Sequence, residues 1–336
     1  MDLLQKNTRL RIIQIGTGAM VHAAHIASAV RALPENFDLL GLVEPDPERQ
    51  TAIQNIPAYA GLPLLDFEEA CLLQPDAFLV ETDEMQLVPT AIRTLSAGFH
   101  TFMDKPGSQD GAEFHKMCRI AKENRKVLNI GYMYRTNPAV LKALEMVRAG
   151  SLGEMIGFEA QMSCRGDESY HRTLPRFKGG MMYYLGCHLI DLMLQFMGEP
   201  EEVIPLHSST MLHQVACVDN AMCAYRYRHG VAMIRTSASE INGFGRRSLF
   251  ISGTRGSLEI RPLEKKEQDN WYGTELRFTP DTANAYSDGS ELLPTPSFKR
   301  YDRMMLDFAA NVRAGRTPQY TPEYEAKLHD WILKSL

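Results

Sequence analysis

The run Leu10-Arg11-Ile12-Ile13-Gln14-Ile15-Gly16-Thr17-Gly18 constrains the chain more than any other stretch. A short apolar segment rich in isoleucine reads as a buried parallel strand. It stops at Gly16 and Gly18, and an apolar helical pattern follows from Met20 to about Ala32. Strand, Gly-x-Gly turn and helix open a dinucleotide-binding unit. The first glycine permits the tight turn, and the second lets backbone approach a pyrophosphate seated on the helix N-terminus. The third glycine position of that fingerprint is Val21, so an ordinary glycine turn would also read this way. The next strand adds a second signal. Phe37–Val43 ends in Glu44, whose carboxylate can accept hydrogen bonds from a ribose diol and would repel a 2′-phosphate. Pro45-Asp46-Pro47 follows, with no lysine or arginine immediately after Glu44. The pair of signals favours NAD over NADP, although Glu44 could also be a solvated strand-end charge.

Up to about residue 130 strands and helices alternate. Helices are expected near Glu48–Asn55, over Asp66–Leu73 with Asp66 and Glu69 at capping-box spacing, from Pro89 to Ala97, and from Gln109 to Asn124. Strands are expected at Ala77–Val80, His100–Met103 and Lys126–Ile130. Such alternation implies a parallel sheet with helices on both faces. After Gly131 the rhythm changes. A helix at Pro138–Ala149 is followed by β segments at Met155–Cys164, Glu202–Met211, Ala221–Arg228, Val231–Ser239 and Ser248–Ile260, with one helix at Gly186–Met197. Hairpin-sized turns between strands imply a largely antiparallel sheet with one exposed face. Lys265–Ser297 is polar and reads as an excursion, and two amphipathic helices close the chain. The fold class expected is α/β: a Rossmann domain over 1–130, then an α+β domain with a large open-faced sheet over 131–336.

Composition narrows the function classes. The chain has 336 residues, and 36 Lys+Arg against 41 Asp+Glu leave a net charge of −5, so no basic footprint for nucleic acid exists. No apolar run approaches a membrane span, and the N-terminus lacks a signal-peptide core. Six cysteines form no Cys-x-x-Cys pair and no zinc-ligand rhythm, which suits reduced thiols in a cytoplasm. No metal site is expected.

Two places carry chemistry. Lys105, in Asp104-Lys105-Pro106, lies just past a strand's carboxyl end, where ligands bind in open α/β sheets. A lysine in a cleft can donate to a substrate hydroxyl and favour its alkoxide as hydride leaves, while position alone leaves a surface lysine equally open. The other is Gly179-Gly180-Met181-Met182-Tyr183-Tyr184-Leu185-Gly186-Cys187-His188-Leu189-Ile190-Asp191. Tyr184, His188 and Asp191 fall at helical spacings and could share a helix face. His188 is suited to take a proton from an alcohol, and Asp191 could orient its imidazole. A core or capping histidine is the plainer reading of such a residue. The His-x-x-Asp pair could also bind a metal, but no third ligand is evident. The preceding segment Arg165–Lys178 offers Tyr170, His171, Arg172 and Arg176, a mixture suited to hydroxyls or a carboxylate, with Arg172 the best single candidate.

With these motifs assembled, the chain resembles the glucose–fructose oxidoreductase / inositol dehydrogenase / MocA family over nearly its whole length. The matching stretches are Gly16-Thr17-Gly18, Glu44-Pro45-Asp46-Pro47-Glu48-Arg49, Asp104-Lys105-Pro106 in place of Glu-Lys-Pro, Gly131-Tyr132-Met133-Tyr134-Arg135-Thr136-Asn137-Pro138, Gly179–Asp191, and the hairpin Ile251–Leu258. The resemblance implies hydride transfer between NAD(P) and sugars, inositols or their relatives. It implies Lys105 as catalytic lysine, His188 as general acid/base, and an open sheet that builds a homodimer or homotetramer. On this reading Gly16, Gly18, Ala19, Met20, Glu44, Thr82, Asp104 and Lys105 hold the cofactor. Lys105, Arg172, Tyr184, His188 and Asp191 hold the substrate. Two departures stand out. Many members carry an aspartate where this chain has Tyr184, and the Pro and His that often follow the fourth strand are Asp83 and Leu87. A phenol with a pKa of roughly 10 can relay a proton but offers Lys105 no carboxylate charge. Three functions follow in order: an NAD-dependent dehydrogenase of a sugar, polyol or glycoside; a redox-neutral NAD-dependent glycosidase or lyase that oxidises a sugar carbon transiently; and a catalytically silent NAD-binding regulator.

Overall fold

The computed structural model describes residues 9–18, 22–53, 55–282, 289–316 and 319–336. By internal contacts the chain forms two compact units, one of Met1–Gly131 with Tyr301–His329 and one of Tyr132–Arg300 with Asp330–Leu336. Where the sequence reading drew one boundary after residue 130, the chain crosses between units three times, and 301–329 belongs with the first.

The first unit contains β1 (Leu10–Ile15), α1 (His22–Arg31), β2 (Phe37–Val43), α2 (Pro47–Ile53), α3 (Phe67–Leu72), β3 (Ala77–Val80), α4 (Leu87–Ser96), β4 (His100–Met103), α5 (Gly111–Glu123) and β5 (Leu128–Ile130). All five strands pair in parallel, in the order β2-β1-β3-β4-β5. A single parallel bridge, Leu42 to Leu64, stands outside β2. Counted as a vestigial third strand, it restores the 3-2-1-4-5-6 order of a doubly wound dinucleotide fold. β1 and β3 are almost wholly buried, as apolar strands covered on both faces must be. The capping box before α3 is present, with the Glu69 amide donating to Asp66 at 2.7 Å and the Asp66 amide to Glu69 at 2.9 Å.

The second unit contains α6 (Pro138–Arg148), β6 (Met155–Ser163), α7 (Glu168–Thr173), α8 (Cys187–Met197), β7 (Glu202–Ser208), β8 (Asn220–Tyr227), β9 (Gly230–Ser237), β10 (Ser248–Gly253) and β11 (Gly256–Ile260). The short strands β12 (Lys265–Lys266), β13 (Trp271–Gly273), β14 (Leu276–Pro280), β15 (Glu291–Leu293) and β16 (Phe298–Lys299) follow. Eight strands form one sheet, ordered β15-β14-β11-β10-β6-β9-β8-β7, antiparallel except for the β6–β9 pair. The Lys265–Ser297 stretch is therefore more than an excursion: β14 and β15 extend the large sheet, while β12, β13 and β16 make a small one. Its polarity goes with partial burial, since in β14 only Leu276 is fully covered and Arg277 to Pro280 are half-buried. On the inner face Phe158, Ala160 and Met162 of β6, Ile234 of β9 and Ile251 of β10 are buried, and α8 packs there through Phe196 on Phe158. The opposite face carries exposed Ile204, Leu206, Val231, Met233 and Phe250.

Two helices, α9 (Asp302–Ala314) and α10 (Pro322–Lys334), end the chain. Phe308 of α9 meets Phe102 edge-on, and His329 of α10 stacks on Phe114 at 3.8 Å. These aromatic contacts with β4 and α5 accompany the placing of α9 and of α10 as far as His329 in the first unit, while the last residues of α10 belong to the second. Among the described residues no helix is long and apolar enough to cross a membrane, and no cluster of His, Cys, Asp and Glu could hold a metal ion.

Candidate active site

In the first unit the glycine turn is built as its sequence demands. Gly16 has φ of +84°, and a Cβ there would lie 2.6 Å from Thr82 Cα. Only glycine fits where β1 passes this close to the end of β3. Thr82, expected at the cofactor, thus backs the turn directly. The Thr17 amide donates to Glu44 at 2.8 Å and the Thr17 hydroxyl at 2.6 Å, and the Asp46 amide donates to the other oxygen of Glu44 at 3.0 Å. A carboxylate offers about four acceptor positions, so Glu44 locks the turn and keeps capacity for one further donor. Beside it lies a cavity of about 370 Å³ lined by Gly16, Glu44, Arg49, Phe67, Thr82 and Arg93, among others. A glycine turn that a Cβ would fill, next to a carboxylate with remaining acceptor capacity, fits an adenosine dinucleotide. Ala19 and Met20, also expected at the cofactor, lie outside the described residues.

Lys105 follows β4 and is 3% exposed, so the surface-lysine alternative does not hold. Its amide donates to Asp104 at 2.9 Å, and His22 Nδ1 lies 3.6 Å from the same carboxylate. Glu81, at the end of the neighbouring strand, is 2% exposed, and its Oε1 has no hydrogen-bond partner among the described residues. β3 pairs with β4 through Val80 and Met103, which sets Glu81 beside Asp104 on one sheet face. Burial, then the Asp104 charge, push the Glu81 carboxyl well above its ordinary range, and Lys105 only partly offsets them. Burial would also raise Asp104, but the His22 hydrogen bond and charge, together with Lys105, hold it low. The result is an acid pair whose environments favour one proton on Glu81.

That proton has a stability consequence. Native Glu81 retains it where the unfolded chain, with a carboxyl near 4.5, has released it. Stability contributed by this group is therefore full at lower pH and declines as pH rises from about 4.5 toward the raised value, by up to about 1.4 kcal/mol per pH unit. Glu81→Gln mimics the protonated acid. Its Tm is expected to exceed that of the parent increasingly from pH 5 to pH 8, and to match it at pH 4. A parallel pair of Tm curves would contradict the assignment.

In the second unit Gly180 marks the approach to α8. Its φ is +47°, and a Cβ would fall 2.1 Å from the Val218 carbonyl oxygen. Met182–Gly186 then form one π-helical turn before α8 begins at Cys187. Such widened turns are frequent at functional sites, and this one contains Tyr184 and ends just before His188. Tyr184 stacks on Phe177 at 5.2 Å and meets Tyr170 edge-on at 6.0 Å. His188, 2% exposed, sits edge-to-face with Tyr134 at 5.2 Å and Tyr132 at 5.7 Å. Aromatic walls exclude water from the imidazole and fix its plane, which suits proton transfer at a defined atom. Asp191 is taken up by Arg135 through a bidentate pair of 2.9 and 2.8 Å, with Gln195 adding 2.9 Å. Both members of the ion pair are buried. Breaking a buried pair costs about 3–5 kcal/mol, so an Asp191 variant reports on folding before chemistry.

The segment before this helix differs from expectation. Arg172 is exposed on α7 and pairs with Glu168 one turn earlier at 2.6 Å. His171 is fully buried, bonded to the Asp167 carbonyl at 2.8 Å and to Ser239 at 3.1 Å, with Asp219 at 3.4 Å. Sequence reasoning missed Tyr132, Tyr134 and Arg135 as wall and clamp, although all three lie in a stretch with recognisable pattern. It also missed Glu81, whose only signal was an acidic residue at a strand end.

Comparison with known proteins agrees with both units. Residues 10–132 match the profile described as an oxidoreductase family with an NAD-binding Rossmann fold, and residues 140–259 match the GFO/IDH/MocA C-terminal domain. An uncharacterised oxidoreductase of Schizosaccharomyces pombe is 24% identical over 81% of this chain and 77% of its own. A scyllo-inositol 2-dehydrogenase (NAD(+)) of Bacillus subtilis is 22% identical over 73% of this chain and 70% of its own. Solved structures share the fold, two of them as follows. Aldose-aldose oxidoreductase of Caulobacter crescentus aligns with a TM-score of 0.78 at 19% identity, covering 98% and 97% of the two chains. UDP-N-acetylglucosamine 3-dehydrogenase of Acidithiobacillus ferrooxidans gives 0.77 at 18% identity, again covering 98% and 97%. With profiles spanning both units, the chain belongs to the Gfo/Idh/MocA family of NAD(P)-binding oxidoreductases.

Proposed function

We propose that this oxidoreductase is an NAD-dependent dehydrogenase acting on a secondary hydroxyl of a sugar, polyol or related glycoside. The observation that carries the reading is Lys105, buried to 3% exposure at the carboxyl end of β4 in the unit that holds the dinucleotide turn. A buried ammonium flanked by Asp104 has a reason to be there if it serves a reacting oxygen. Lys105 donates a hydrogen bond to the substrate hydroxyl and stabilises the developing alkoxide. His188 accepts the hydroxyl proton, held edge-on by Tyr132 and Tyr134. Tyr184, on its Phe177 platform, contributes a phenol. Bound NAD would supply the hydride acceptor.

The preference for NAD over NADP rests on Glu44. Its carboxylate is fixed by Thr17 and Asp46 and cannot swing aside to admit a 2′-phosphate. Both arginines of the adjacent cavity already face carboxylates, Arg49 that of Asp46 at 3.5 Å and Arg93 that of Glu68 at 2.6 Å. A homodimer or homotetramer through the exposed sheet face completes the reading, supported by the apolar side chains of β7, β9 and β10.

A panel of polyols, sugars and glycosides, offered with NAD or NADP and followed at the NADH absorbance, tests this. Multiple turnovers with NAD, at least tenfold faster than with NADP, are expected, and light scattering of the same sample should show a dimer or larger. Glycoside cleavage without net NADH would instead establish redox-neutral chemistry, for which the Tyr184 replacement leaves room.

A further inference from the structure

Behind Tyr134 lies a buried charge cluster that the reaction above does not use. Arg247 is 8% exposed. Its Nε donates to the Ser163 carbonyl at 3.3 Å, and its Nη1 donates to Tyr134 Oη at 3.0 Å and to Glu264 at 2.8 Å. Its Nη2 makes no hydrogen bond among the described residues. Glu264 cannot supply one. Its Oε1 accepts from Tyr134 as well as Arg247, and its Oε2 accepts from Arg300 at 2.9 and 2.8 Å. One carboxylate thus serves two guanidiniums and a phenol, and its four acceptor positions are spent.

Apart from Glu264 and Arg300, the titratable groups beside Arg247 are held toward their neutral forms. Burial pushes the Cys164 thiol up, and Arg247 only partly counters it. Burial likewise raises the Tyr170 phenol well above its ordinary value, and Tyr134 is raised by burial and the Glu264 charge. One of these residues, Tyr134, touches the proton-handling histidine, and the others lead to Tyr184. Tyr134 touches His188 edge-on, Tyr170 touches Tyr184, and Cys164 bonds Tyr170. The guanidinium also lies over the Phe244 ring at 4.4 Å. Nearly desolvated, sharing its one carboxylate with Arg300, and one phenol away from His188, its remaining amino group is a place for a negative charge brought by a ligand.

We propose that Arg247 binds the carboxylate of the substrate, making the preferred substrate class a sugar acid rather than a neutral polyol. This rests on the dehydrogenase reading of His188 but adds a recognition group to it. A guanidinium hydrogen bond to a carboxylate is charge-assisted and about twice as strong as one to a neutral oxygen. A hydroxyl in the same place would gain only the weaker, neutral hydrogen bond.

The test is calorimetric titration of the protein saturated with NADH. The probes are D-glucuronate, D-galacturonate and D-mannuronate, each against its neutral uronamide, with the corresponding hexose and hexose 6-phosphate as further arms. At least one uronate is expected to bind ten times or more tighter than its isosteric amide, and that ratio should shrink as salt is raised. In Arg247→Gln the ratio falls to near one, and in Arg247→Lys it partly returns, with Tm recorded for each variant. The amide comparison needs no variant, so it decides the matter even if Arg247→Gln, which strands Glu264, fails to fold. Equal binding of acid and amide across the panel overturns the proposal, as does tighter binding of a hexose phosphate than of any uronate. Failure of the underlying reading looks different. Acid-selective, Arg247-dependent binding with no NADH from any compound would remove the dehydrogenase assignment and keep this one, and NADH from neutral polyols without acid selectivity would do the reverse.

Discussion

Lys105→Met is expected to lower kcat/KM by about 10²–10³-fold, the range for removing one preorganised donor from a developing oxyanion. The side chain is buried at the end of β4, and its neighbours Asp104 and Glu81 share a sheet face behind it. Methionine preserves length and apolar stem while deleting the charge. The loss should fall mainly on kcat, because a donor to the alkoxide acts more strongly in the transition state than in the ground state. Affinity for NAD, followed by quenching of protein fluorescence, should stay within about threefold, since the glycine turn and Glu44 are untouched. Removing the ammonium also leaves the Glu81–Asp104 pair without one of its counter-charges, so some fall in Tm is expected. A variant with full activity would remove Lys105 from the chemistry. A variant that fails to bind NAD would make the lysine a cofactor ligand rather than a donor to substrate.

His188→Asn is the second large effect, a loss of about 10²–10⁴-fold in kcat for removal of a general base. Asparagine keeps a polar planar group between Tyr132 and Tyr134 but cannot take a proton. The pH profile separates the chemical role from a packing one. In the parent, kcat should rise with pH along a limb set by deprotonation of the base, and in His188→Asn that limb should disappear. If the variant is slow but keeps the limb, His188 positions the substrate and another group takes the proton, with Tyr184 the nearest alternative by sequence.

The two predictions draw on features of unequal visibility in the chain. The Gly16–Gly18 turn, the Asp66–Glu69 capping box and the strand ends at Val43 and Met103 are local. They follow from turn chemistry and short-range patterning, and the structure places them as the residues imply. Tyr184, His188 and Asp191 were recognisable as a group, yet what each touches was not. The π-helical turn follows directly on Gly180, which passes the Val218 carbonyl so closely that no Cβ would fit, a contact nearly forty residues away in sequence. Arg135 claims Asp191, and Glu168 claims Arg172, because those partners happen to face them once the chain is folded. The strand β14 hid in a polar stretch because only Leu276 of its five residues is fully covered. The return of 301–329 to the first unit depends on Phe308 and His329 finding Phe102 and Phe114, pairs separated by about two hundred residues. Glu81 and Arg247 are the strongest cases. Each becomes notable only when burial and neighbours are known, since an acidic strand end and an arginine in a turn are unremarkable as sequence.

The central claim is that Lys105 and His188 serve one hydride-transfer reaction, and the rate of NADH formation tests it most directly. Parent protein, Lys105→Met, His188→Asn and the double variant would be compared with NAD and the best substrate of the panel. The account predicts sustained NADH production by the parent, a loss of at least a hundredfold in each single variant, and a double variant scarcely worse than the slower single, because residues acting on one step are strongly non-additive. NADH production by the double variant at the parent's rate would contradict it.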